Sequence, residues 1–228
     1  MFILSRLDGM PPESFQSQIR QLVIDHVGEV SSVAIAPSNT LYPLYQYGVG
    51  LEVHQYLEAL DGTRGLQARL TLALDAEAPD RLLGFALGLP AADRDDTCAL
   101  AFLIVLPEAR RQGIARALLG ELQADYACVE LAAFAHQVPW FEAMGMQVVA
   151  ASGPQVLMTS TGRVSEALIG RLDIAPLYQT TEVGQIHAYL LNHNGEEAMI
   201  EAERQRDERL DQLTLEAAQC VEGRRRVH

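Results

Sequence analysis

The stretch that most limits what this chain can become runs from Leu103 to Leu119, LIVLPEARRQGIARALL. Phe102, Leu103, Ile104, Val105 and Leu106 form a short apolar run, which predicts a strand covered on both faces. Pro107 has no N–H to donate and ends the ladder. Ile114, Leu118 and Leu122 then recur at helical spacing, so a helix opens at about Gly113. The first N–H groups of a helix lack partners inside it, and the helix dipole adds partial positive charge there. Gly113 and Ala115 leave the main chain open to close approach, and Arg110, Arg111 and Arg116 bring full charges to the same spot. A diphosphate fits such a place.

The residues also carry a resemblance. Arg110-Arg111-Gln112-Gly113-Ile114-Ala115 resembles the acetyl-CoA loop of the GNAT superfamily of acyltransferases, R/Q-x-x-G-x-G/A. The lead-in from Val105 through Pro107 to Arg110 is similar to the family's V-x-P-x-x-R. Further on, Trp140-Phe141-Glu142-Ala143-Met144-Gly145-Met146 resembles a second signature, F-Y-E-x-x-G-F. Two positions depart from the family pattern. Phe141 stands where many members have a tyrosine that protonates the leaving thiolate, and Phe134 stands where an asparagine is usual.

The resemblance covers about residues 1–160. It implies an α/β (α+β) fold with a mixed, mostly antiparallel central sheet flanked by helices, and an acyltransferase domain over 1–160. It implies acetyl-CoA as acyl donor, held along Leu103, Ile104 and Val105 by main-chain bonds and at Arg110, Arg111, Gln112, Gly113, Ile114, Ala115 and Arg116 by the loop, with no metal. The acceptor is then a primary amine of a small molecule or a protein. Tyr42, Tyr45 and Tyr47 fall where the family places its acceptor site, although tyrosines packing a loop onto a core read equally well. Glu130 alternates with Val129 and Leu131, and a glutamate near this place is the base in some members. His136, at the mouth of the next helix, is a second group able to move a proton. Tyr126 replaces the missing acid only if the chain turns it inward. A module that holds acyl-CoA without turnover is the competing reading, favoured by Phe141 and Phe134.

Composition bounds the partners. The net charge of −13 disfavours nucleic acid and favours a cationic acceptor. All 17 basic residues are arginine. No apolar run approaches the ~20 residues of a membrane span. Three scattered cysteines, Cys98, Cys128 and Cys220, and the absence of a signal-like start point to the cytoplasm.

In chain order, Met1 to Leu7 reads as a strand and Pro11 to Val27 as a helix. The stretch from Val30 to Tyr47, broken by prolines, reads as irregular, with a short helix over Leu51 to Leu60. Strands follow at Leu66 to Asp75, Leu82 to Leu89, Thr97 to Leu106 and Ala127 to Phe134. Gln137 to Met144 is a short helix capped by Gly145. Met146 to Ser160 holds one or two strands. From Thr161 the character changes, which sets off 161–228 as a mostly helical extension. Val183, Ile186, Leu190 and Leu191 mark one amphipathic helix. Glu196 to Val221 is a charged helix with a narrow seam of Leu210, Leu213, Ala217 and Cys220, ending in a frayed Arg224-Arg225-Arg226. That seam must be covered by the domain or by a second chain. Small oligomers are most often two-fold and many GNAT proteins are dimers, so the expectation is a homodimer.

Overall fold

The computed structural model describes residues 1–62, 66–173 and 175–225 of the 228. Seven strands form one sheet in the order β1-β2-β3-β4-β5-β7-β6: β1 Phe2–Leu7, β2 Arg69–Asp75, β3 Leu82–Pro90, β4 Thr97–Val105, β5 Cys128–Ala133, β6 Gln147–Ser152 and β7 Gln155–Thr159. Every neighbouring pair is antiparallel except β4 with β5. The crossover joining that parallel pair contains the helix α4, Ile114–Asp125, because parallel neighbours need a long connection.

One face of the sheet is covered by α1 (Glu13–Asp25), α2 (Val27–Val30) and α3 (Tyr42–Glu58), whose Ile19, Val27, Val53 and Leu57 pack on Leu72, Phe85 and Ile104. On the other face α4 lays Ile114, Leu118 and Leu122 against Ala86, Leu100 and Leu131, joined by Val138 and Phe141 of α5 (Val138–Glu142). The 3.6-residue spacing read at Ile114, Leu118 and Leu122 is thus the face α4 buries.

The first helical layer differs from expectation. The stretch expected to be irregular up to Tyr47 and a short helix after Leu51 is one 17-residue helix, α3. Pro43 lies in its first turn, where no N–H is required. Gly48 lies inside it because Tyr178 presses on that point: a Cβ at Gly48 would lie 2.7 Å from the Tyr178 hydroxyl.

The last segment is helical, as α6 (Thr181–Asn194) and α7 (Glu196–Arg225). The middle of the α7 seam is buried in its own chain: Leu213 and Ala217 are fully buried and Leu210 and Cys220 half-buried, with Val221 rather than Cys220 completing the buried face, and the helix lies along β6 and β7. Its first turns reach the α1–α3 side through Met199 and Ala202, where the buried Asn39 amide donates to the Ala202 carbonyl at 2.9 Å. The need for a second copy to cover the seam therefore falls away. The expected fraying of Arg224 and Arg225 is not seen. Both are helical, and Arg224 donates from Nη2 to Glu142 Oε2 at 2.9 Å, tying the helix end to α5. Arg226 lies outside the described residues. No helix among the described residues is long and apolar enough to cross a membrane.

Candidate active site

β4 and β5 are paired over three rungs only, Thr97 with Cys128, Cys98 with Val129 and Ala99 with Glu130. On the side of β3, the register slips between Leu87 and Gly88, leaving Ala101 as an extra residue in β4. Such a bulge bends and twists the strand that carries it. Beyond Ala99 the two strands part, so β4 keeps its bonds to β3 and offers its other edge to a cleft.

The cleft has a volume of about 720 Å³ and passes between the strands, with lining residues from both faces of the sheet, within the usual range for a ligand pocket. Leu103, Ile104 and Val105 form one wall. The floor is the start of α4, with Gly113, Ile114, Ala115 and Arg116 on its lining. Gly113 caps the helix at φ +83°, and a Cβ built on it would meet nothing within 4 Å, so the main chain there is bare. The amides of Ile114, Ala115 and Arg116 open the helix without acceptors inside it.

The three arginines have different duties. Arg110 turns back into the protein: Nε donates to the Val105 carbonyl at 3.1 Å, and Nη2 donates to both carboxylate oxygens of Glu29 at 3.0 and 3.2 Å. Arg116 donates to the Ala143 carbonyl at 2.8 Å, fixing α5 beside the loop. Arg111 has no hydrogen bond or ion pair among the described residues. It is also the one non-glycine described residue with positive φ, +64°, a conformation disfavoured for a residue with a side chain. Gln112 is outside the lining, with its amide 3.4 Å from the Glu108 carbonyl. The loop grouping read in the sequence is otherwise brought together as expected, with Arg111 as its free cation.

The other expected residues separate. His136 lines the cleft and its ring stacks on Phe134 at 6.0 Å between centroids. Glu130 sits on the last paired rung, and its Oε1 accepts the Ser165 N–H at 2.9 Å, so its carboxylate anchors the segment after β7. Tyr42, Tyr45 and Tyr47 do not line the cleft. They lie on α3, pack against the α1–α3 core, and Tyr45 stands 6.1 Å from Tyr178. Tyr126 is buried at the far end of α4, away from the cleft. Phe141 is buried at the cleft wall.

Glu29 is the functional candidate that sequence reading missed. It lines the cleft, carried there by the one-turn helix α2, and is held by Arg110 and, at 3.3 Å, by His26 Nδ1. A lone glutamate 81 positions before its arginine leaves no motif. Together with His136 it makes the two side chains of the lining, besides arginine, that titrate. Among the described residues no group of three or more His, Cys, Asp or Glu is arranged to hold a metal ion.

Comparison with known proteins agrees with this arrangement. The model of the acetyltransferase (GNAT) family matches residues 41–146, which run from the start of α3 through the loop and α5. The fold is shared with an N-acetyltransferase of Thermoplasma acidophilum solved with coenzyme A, at TM-score 0.51 and 14% identity, over 70% of this chain and 98% of that one. It is shared equally with an aminoglycoside 6'-acetyltransferase of type Ii, at TM-score 0.50 and 16% identity, over 75% and 99%. No curated protein matches the sequence. Residues 41–146, which hold the arginine- and glycine-bearing helix start, thus match the model of the GNAT acetyltransferase family, and the chain shares its fold with solved acetyltransferases.

Proposed function

We propose that the chain is an N-acetyltransferase that takes acetyl from acetyl-CoA and passes it to a primary amine. The observation that carries this reading is the cleft between β4 and β5 ending on the bare start of α4. A long thioester with a diphosphate at one end suits both halves of that cleft. When bound, acetyl-CoA supplies an activated acetyl group. The chain's share is to hold, orient and move protons. The first amides of α4 and the Arg111 guanidinium take the diphosphate. The free edge of Leu103, Ile104 and Val105 receives the extended arm by main-chain bonds, and an N–H on that edge polarises the carbonyl.

The amine is charged near neutral pH and must lose a proton to attack. His136 is the group we assign to proton transfer, because it lines the cleft. Glu130 we assign to holding the Ser165 segment. The net charge of −13 favours an acceptor that is cationic before it reacts.

Release of free thiol from acetyl-CoA, followed over a panel of small amines and peptide amines, tests the reading. Turnover with at least one amine, lost in Gly113→Asp, is the expected result. A second reading, an acyl-CoA-binding module without turnover, is favoured by Phe141, which leaves no tyrosine on the cleft wall among the described residues. Tight CoA binding with no thiol release over the whole panel would decide for it.

A further inference from the structure

At the opposite end of α4 from the cleft lies a second hollow of about 430 Å³. Its lining includes Arg6 from β1, Arg69 from β2, Arg94 from the β3–β4 connection, and Asp95, Asp125 and Tyr126. Three guanidiniums around one small hollow are unexpected in a chain of net charge −13 with 17 basic residues. Like charges so gathered repel one another unless something of opposite sign is shared between them.

The carboxylates present do not balance them all. Arg6 donates from Nε to Glu121 Oε2 at 2.7 Å and from Nη1 to Asp125 Oδ2 at 2.8 Å, so it is fixed in place and Asp125 is engaged. Arg69 and Arg94 have no carboxylate partner among the described residues, and Asp95 is the acid left on the lining. Arg69 is steadied from below, where its guanidinium sits beside the buried Tyr126 hydroxyl. Arg94 stands on an anchored connection: Ala92 N–H donates to the Leu168 carbonyl at 2.8 Å, and Leu168 N–H donates to Asp93 Oδ1 at 2.7 Å. Arg6 and Arg69 are therefore held at the hollow by side-chain contacts, and the backbone that carries Arg94 is anchored beside it.

We propose that this hollow is a binding site for a small oxyanion carrying two or more negative charges, of the phosphate-ester or polycarboxylate class, distinct from the acyl-CoA cleft. Planar guanidinium forks match the paired oxygens of both ligand classes. Arg69 and Arg94 take the oxygens, while Arg6 and Asp125 form the wall. The site touches the end of α4 whose other end opens the acyl-CoA loop, and it does not depend on what the cleft does.

The test is calorimetry on the full chain at constant ionic strength in a chloride background, with CoA saturating so that the loop is filled. One arm uses inorganic phosphate and the other citrate. We expect one equivalent to bind at submillimolar Kd in at least one arm, and that arm names the ligand class. Arg94→Gln, an exposed substitution that the core does not feel, and Arg69→Gln should each weaken binding at least tenfold, with CoA affinity kept. No binding in either arm with CoA present overturns the proposal. So does equal binding by wild type and Arg94→Gln, which would mean an adventitious ion only.

Discussion

Arg111 holds a left-handed conformation at the start of α4, with its side chain unpaired among the described residues. Strain of that kind costs about 1 kcal/mol or more and persists where a loop has a task. Arg111→Gly removes both the strain and the charge. We expect its unfolding midpoint to hold or rise while CoA affinity falls about tenfold, read by thermal melts and calorimetry on the same samples. Unchanged CoA affinity would remove Arg111 from the diphosphate seat. At the reacting end, His136→Asn is expected to lower turnover by at least tenfold. Glu130→Gln keeps an oxygen for the Ser165 N–H and is expected to keep turnover within about threefold. A larger loss in Glu130→Gln than in His136→Asn would reverse the two assignments.

Glu52 makes a further residue-scale prediction. Burial pushes its pKa from 4.5 up to about 7, and the neighbouring Arg171 pulls it back only in part. The folded chain thus keeps a proton that the unfolded chain releases above 4.5. Stability falls as pH rises from 4.5 to about 7 and changes no further above that. Glu52→Gln abolishes the loss. It should gain up to about 3 kcal/mol at pH 8 and nothing at pH 4, by urea melts at the two values. Equal effects at both would show that Glu52 is not held protonated.

At the scale of elements, α3 and the segment leading into α6 are built for each other. The α3 positions 45, 48, 52 and 56 share one stripe. Tyr45 meets the Tyr178 ring, Gly48 meets its hydroxyl, and the Tyr56 hydroxyl accepts the Leu172 N–H at 3.2 Å. Gly48→Leu must displace Tyr178 and is expected to cost about 1–3 kcal/mol despite leucine's better helix propensity. A midpoint at or above wild type in denaturant would show that the contact is slack. This stripe also shows where sequence reading stops. The 3.6-residue spacing of Ile114, Leu118 and Leu122 and the break at Pro107 are local signals, and both the strand and α4 were legible from them. The tyrosines of α3 carry no such signal. The partner of Tyr45, Tyr178, is over 120 residues away, so an acceptor pocket and a docking stripe looked alike. Glu29 was missed, and the partner of Glu130 was not foreseen, for the same reason, since the turn of a carboxylate is set by Arg110 in one case and by Ser165 in the other. The seam of α7 was visible, but the surface covering it, β6 and β7, is an assembled sheet that no short window contains.

For the molecule as a whole, the charge of −13 sets the long-range field. A polycationic amine approaching a negative protein gains in on-rate, and salt removes the gain. We expect kcat/KM for a di- or triamine to fall several-fold between 20 and 200 mM salt, with kcat little changed, while a neutral-bodied monoamine responds less. Equal salt slopes for the two would mean that the field does not guide the acceptor.

The pairing of β1 with β2 has a consequence for how the molecule is made. Phe2 lies opposite Asp75 and Leu7 opposite Leu70, with all three helices of one layer threaded between. Closing so long a stretch of chain costs entropy before any ladder bond repays it, so contacts of this range form late. Until β1 arrives, β2 is the rim of the sheet, and Leu70, Leu72 and Leu74 lie along it beside unpaired amides. An uncovered apolar rim is a template for a neighbouring chain. Refolding yield should therefore fall steeply with protein concentration, and the first seven residues act as the guard that ends this window of self-association.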